Sequence, residues 1–217
     1  AVLKMIELGW LFVTKQRLII HSAHELGTTE ETFRETATLI EDHPFLSRHL
    51  KSSRGERPGI TSGNGRWAIE LVGDRRLRYR ARQATGGRGL TGNKVVLDEF
   101  FAVTPAVIGS LYPTLSAVPD PQVVSASSAG LLMSEALRDK RGRGRAGQTW
   151  NQFYLEFTDL LQPVHGKPYT GCRDPLCTHA KTAVGCRLDD EEVWASIMSA
   201  LGSRVLPETI RSLRQAM

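Results

Sequence analysis

The chain of 217 residues is short of several things, and each shortage narrows what it can be. Its three cysteines all fall between Cys172 and Cys186. An odd, clustered set points away from a disulfide framework. No apolar run approaches the roughly 20 residues that cross a bilayer, and the start of the chain lacks the basic-then-apolar pattern of a secretory leader. A cytosolic protein without membrane association is therefore expected. No serine or cysteine stands in a nucleophile-elbow setting, which argues against triad-type acyl chemistry. The glycine-lysine-Ser/Thr loop that cradles phosphates is missing as well. The nearest candidate, the glycine-rich stretch from Thr85 to Gly92, has Asn93 between its last glycine and Lys94, and a strand follows where a helix is needed.

What is present suits a globular domain. Hydrophobic content of 41% and charged content of 24% leave room for a sizeable core. A net charge of +5 and a pI near 9.3 favour an anionic partner such as nucleic acid. Strand and helix signals alternate. Residues 1–13 have helical spacing, and Arg17 to Ser22 reads as a buried strand. A helix capped by Thr28 or Thr29 then runs to just before Pro44. After a loop from Ser52 to Gly65, Trp67–Leu71 and Leu77–Gln83 form a hairpin around Gly73 and Asp74. That alternation predicts an α/β fold with a mainly parallel sheet and helices on both faces.

The most informative stretch is KVVLDEFF, Lys94 to Phe101. A Val/Leu run bounded by loops reads as a strand covered on both faces, and its carboxyl end is where such folds place ligands. Two acids there, Asp98 and Glu99, can divide labour. One would hold Mg²⁺, while the other would orient and deprotonate a water attacking a phosphate. That is the logic of a Walker B site; the plainer alternative is a strand ending in a helix cap. Thr104 with Pro105 starts the next helix, which ends before Pro113. Gln122–Ala126 is a further strand ending in Ser127 and Ser128, hydroxyls that can sense a phosphate or simply cap the helix from Leu131 to Lys140. Trp150–Thr158 suggests a last strand, Asp189 or Asp190 starts a helix to Leu201, and Pro207–Met217 is a final amphipathic helix.

Three basic features stand out. Arg76, Arg78, Arg80 and Arg82 alternate along one strand, about 6.6 Å apart, a spacing close to that of backbone phosphates and also natural for the solvated face of an edge strand. Arg88, among glycines, could reach a phosphate on a neighbouring subunit or stand in water. Lys140–Arg145, KRGRGR, reads as a mobile loop with affinity for polyanions or a solvated linker. Separately, Cys172, Cys177, His179 and Cys186 are spaced C-x4-C-x-H-x6-C. Three thiolates and an imidazole can supply a tetrahedral structural zinc shell, the alternative being free thiols and a loop histidine.

Taken in order, RLIIHSAHE and its following helix, GRGLTGNKVVLDEFF, TPAVIGSLYPTLSA, VVSASSAG and SALGSRVLPETI resemble the ATPase domain of the large terminase subunit of tailed phages. The resemblance implies an ATP- and Mg²⁺-dependent motor that drives double-stranded DNA into a procapsid. It implies Asp98 on Mg²⁺, Glu99 as catalytic base, Ser127 and Ser128 coupling hydrolysis to movement, and Arg88 as a trans-acting finger. The implied partners are double-stranded DNA, a portal, a small terminase subunit and further copies in a ring, in the cytoplasm of an infected or lysogenic bacterial host.

Two departures qualify this. The family's Walker A loop and its nuclease domain are not in these residues, so the expected object is a P-loop NTPase-type sheet truncated at its N-terminal P-loop strand. By itself it would be inactive. The expected divisions are an ATPase core at 1–158, a Cys/His insertion at 159–188 and C-terminal helices at 189–217. The competing readings are a helicase-like ATPase and a zinc-stapled basic nucleic-acid-binding module in which the acids are structural.

Overall fold

The computed structural model describes residues 2–52, 57–63, 66–82, 92–147, 151–157 and 189–216. The chain divides into two compact units, 1–150 and 151–217. The first is built on a six-stranded sheet of order β2-β3-β4-β1-β5-β6. Its strands are β1 (Leu18–Ala23), β2 (Ile60–Gly63), β3 (Arg66–Leu71), β4 (Arg75–Ala81), β5 (Lys94–Leu97) and β6 (Gln122–Ser125). β4, β1, β5 and β6 run parallel, and β3 and β2 are added antiparallel. The helices are α1 (Val2–Leu8), α2 (Leu26–Glu41), α3 (Pro44–Ser47), α4 (Pro105–Leu115) and α5 (Glu135–Ala146).

Alternate side chains of β1 enter different cores, as strand geometry demands. Ile19 packs with Leu11, Phe33, Ala37, Ile40, Leu77 and Tyr79, the face covered by α1 and α2. Ile20 packs with Val95, Leu97, Val107 and Leu111, the face covered by α4. All four residues of β5 are buried, in keeping with a parallel strand sandwiched between layers. Its Lys94 is buried too, because its ammonium donates to both the backbone carbonyl and the carboxylate of Asp120, each at 2.7 Å.

Several expectations need correction. β4 lies inside the sheet between β3 and β1, so its arginines do not decorate an edge strand. Neither Thr28 nor Thr29 caps α2. Glu25 occupies the cap position, and the Thr29 hydroxyl donates back to its carbonyl at 2.8 Å. α4 does start at Thr104 and Pro105, but it runs past Pro113 to Leu115. KRGRGR is not a loop: it forms half of α5. An Asp139–Arg143 pair one turn apart, basic residues in the last turn facing the helix dipole, and a left-handed Gly147 at the end outweigh two glycines of poor propensity. Within the loop after α3, Ile60–Gly63 adds a strand to the hairpin.

In the second unit, residues 151–157 contain no strand. α6 (Glu191–Ile197) begins at Asp190, whose carboxylate accepts from Glu192 N–H at 2.9 Å, and ends four residues before Leu201. α7 (Pro207–Ala216) follows, joined to α6 by an Arg211–Glu191 ion pair. Among the described residues no helix is long and apolar enough to cross a membrane.

Candidate functional site

Three parallel strand ends converge where β5 stops. Asp98 extends the pairing by one residue, donating its N–H to Ser22 O at 2.9 Å. The chain then breaks sharply. Glu99 is left-handed, with φ 50° and ψ 49°, a conformation unfavourable for a side chain with a Cβ. It is held from both sides: its own N–H donates to Asp98 Oδ1 at 2.8 Å, and Phe100 N–H donates to Ala126 O at 2.8 Å, just past β6.

This turn aims the Glu99 carboxylate at the start of α2. Oε2 accepts from His24 N–H at 2.8 Å and Glu25 N–H at 3.4 Å, and Oε1 accepts from the Thr28 hydroxyl at 3.5 Å. Unpaired N–H groups at a helix N-terminus favour an anion there. Asp98 and Glu99 are both half-buried, which leaves them reachable from solvent. Ser127 joins the cluster, its hydroxyl accepting from Phe101 N–H at 2.9 Å, and Ser128 beside it is exposed. The structure thus brings Asp98, Glu99 and Ser127 together at the carboxyl end of the sheet.

The oxygen chemistry fits a hard cation shared with a phosphate ligand. Asp98 offers its second carboxylate oxygen, and Mg²⁺ is commonly held by one or two carboxylates plus substrate oxygens. Among the described residues no group of three His, Cys, Asp or Glu side chains could hold a metal alone. Arg88 and the proposed zinc ligands Cys172, Cys177, His179 and Cys186 lie outside the described residues. Of the glycine-rich loop, only Gly92 is described. A Cβ there would meet Ile20 Cγ1 at 2.9 Å and Leu18 O at 3.1 Å, so this glycine serves close packing.

Two cations near the acids escaped the sequence reading. Arg82, one residue past β4, donates to the carbonyls of Ser22 and Asp98 at 2.6 Å and of Glu99 at 3.0 Å. Burial holds its pKa below the ordinary guanidinium range, against the opposing pull of Glu99 and Asp98. Lys140, on α5, donates to Ser125 Oγ at 2.8 Å and stands 4.8 Å from the centre of the Phe100 ring. Burial, helped by Arg143, brings its pKa down to about 8. The only sequence signal for Arg82 was its place at the carboxyl end of a strand. The other arginines of the row remain partly buried along β4, and burial, then the neighbouring Arg80 and Arg76, lower the pKa of Arg78.

The sheet order and the mainly parallel strands define a mixed α/β fold. In particular, the chain is similar to the solved crystal structure of the HK97 bacteriophage large terminase, with a TM-score of 0.71 over 99% of this chain at 12% sequence identity. The chain spans 40% of the length of that protein. No protein-family model and no curated protein matches the sequence.

Proposed function

We propose that this chain is the ATPase part of a motor that packages double-stranded DNA into a phage procapsid. The observation that carries the reading is the Asp98–Glu99 pair at the end of a fully buried parallel strand, with Glu99 left-handed and its carboxylate fixed by two backbone N–H groups. The terminase-like fold and the basic balance of the chain support it.

In this reading the reaction is in-line attack of water on the γ-phosphate of ATP. Glu99 orients the water and takes its proton. Asp98 holds Mg²⁺, which when bound neutralises charge on the phosphate oxygens. Arg88 stabilises the same charge from a neighbouring copy in a ring, and Ser127 and Ser128 report the state of the nucleotide to the helix beyond them. The other partners are double-stranded DNA, a portal and a small terminase subunit. The segment 159–188 carries a structural zinc on Cys172, Cys177, His179 and Cys186. Metal analysis of the folded protein should return close to one equivalent; less than about a tenth removes the zinc from the proposal.

The test of the enzymatic reading is DNA-stimulated ATP hydrolysis by the full gene product containing these residues, in the wild type and in Glu99→Gln. Turnover that is lost in the variant while nucleotide binding persists supports the motor. DNA binding without turnover in the wild type makes the acid pair structural and ends the proposal.

A further inference from the structure

The sheet order places β1 between β4 and β5, so a residue leaving β4 can touch β5 only by crossing the end of β1. Arg82 does this. Its backbone N–H still pairs with Ala23 O at 2.9 Å, and its side chain then spans two strands, with Nη1 on Ser22 O and Nη2 shared between Asp98 O and Glu99 O. The two carbonyls on Nη2 belong to the residues flanking the peptide at which the chain turns left-handed. A planar fork with several fixed donors can hold three carbonyls at once, which an ammonium on a flexible stem does poorly.

We infer that Arg82 is the positioning residue of this site: it clamps the Asp98–Glu99 backbone in its left-handed turn and thereby aims the Glu99 carboxylate. The inference deepens the proposed ATPase reading and rests on it for the catalytic consequence. Two further observations point the same way. Glu99 has no glycine-like freedom, so its conformation needs outside support, and the clamp supplies it. The guanidinium is also held there with an unsatisfied donor. Arg82 Nε and the neighbouring Ser22 Oγ are both buried without a hydrogen-bond partner among the described residues. An unpaired buried donor is unfavourable, so it is the three carbonyl contacts of Nη1 and Nη2 that hold the guanidinium in place.

Arg82 touches no reacting atom in this arrangement; it acts through Glu99. Its loss should therefore lower kcat and leave nucleotide affinity nearly unchanged, which separates it from a phosphate-binding arginine. In the full gene product, Arg82→Met keeps most of the side-chain volume and removes all donors. The expected result is a fall in kcat of roughly 10²-fold with KM for ATP within about threefold of wild type. Arg82→Lys should recover part of the loss. Arg82→Met combined with Glu99→Gln should be no slower than Glu99→Gln alone, because both changes remove one function. A rise in KM at unchanged kcat, or full additivity in the double variant, overturns the inference.

Hydrogen exchange gives a reading independent of turnover. The amides of His24 and Glu25, which donate to Glu99, should lose protection in Arg82→Met by about tenfold or more, while the amides of Ile69 and Leu77 in the hairpin keep theirs. Unchanged protection at His24 and Glu25 overturns the inference whatever the kinetics. If the wild type does not hydrolyse ATP, the ATPase reading falls and exchange alone decides whether Arg82 aims Glu99. Should Arg82→Met fail to fold, Arg82→Lys gives the same readings at smaller amplitude.

Discussion

Two glutamates flank β1, one beside it and one just past its end, and they are treated in opposite ways. Glu7 comes from α1 and meets the middle of the strand. It is wholly buried, with one oxygen 2.5 Å from His21 Nδ1 and the other accepting from the Tyr79 hydroxyl at 3.4 Å. Glu99 meets the backbone just past the end of the strand, half-buried and in a strained conformation, with its carboxylate on the N–H groups of His24 and Glu25. The partners of Glu7 are side chains that can exist only inside this core. Burial, and then Glu7 itself, push the Tyr79 phenol well above its usual range. The partners of Glu99 belong to the start of a helix, and solvent reaches the acid. A carboxylate enclosed by side chains ties elements of the core together, whereas one carried at a strand end on strained backbone stays open to solvent, which is where the proposed chemistry needs it.

The comparison can be broken by swapping outcomes. Glu99→Gln should reduce ATP turnover of the full gene product by roughly 10²- to 10⁴-fold and alter unfolding free energy by less than about 1 kcal/mol. Steady-state kinetics beside urea denaturation would show both. Glu7→Ala should do the reverse, costing about 1–3 kcal/mol by leaving the buried His21 and Tyr79 groups unmatched, with little effect on kcat of the protein that remains folded. If Glu7→Ala spares stability or Glu99→Gln spares turnover, the distinction between the two acids is wrong.

Two smaller effects sharpen it. The Lys140 pKa is pulled down to about 8 by burial and then by Arg143. The unfolded lysine titrates near 10.4. Between those values the unfolded chain carries more protons than the folded one, so stability should rise with pH across that window and stay level below it. Lys140→Met should flatten that rise, on the order of 1 kcal/mol, in urea titrations compared at pH 7.5 and pH 10. Smallest is Ser127→Ala. It removes the acceptor of Phe101 N–H, and a loss of about 1 kcal/mol is expected. A larger fall in DNA-stimulated than in basal hydrolysis would indicate that the hydroxyl couples as well as supports.

Much of the architecture was legible because local signals and tertiary demands agree. KVVL reads as a buried strand and is one; Thr104 and Pro105 open a helix as their chemistry predicts. The acids drew attention because they follow an apolar strand at the end where α/β folds place ligands, and the structure places them at that strand end, half-buried. What stayed hidden depends on contacts between distant segments. KRGRGR folds as a helix, and Lys140 within it reaches Ser125 and Phe100, contacts that no local pattern carries. Arg82 looked like one more arginine in a row because its role depends on strand order, which no local pattern carries. The Glu7–His21 pairing joins residues 14 apart in two elements that meet only in the folded core.

The last turn of the first helix bears on how this sequence can change in length. From Gly9 to Val13 the helix widens into a π-type turn, with Thr14 N–H donating to Gly9 O at 3.0 Å. Such a turn absorbs one residue more than an α-helical turn does. Glu7, before or at its edge, faces His21, and Leu11, within it, is fully buried against the same side of the sheet. Deleting a single residue here would restore ordinary helical phase and rotate everything beyond it by about 100°. The wide turn closes at Thr14, and β1 begins four residues later at Leu18, so the length of this stretch is tied to where the strand starts and it should tolerate substitution far better than insertion or deletion.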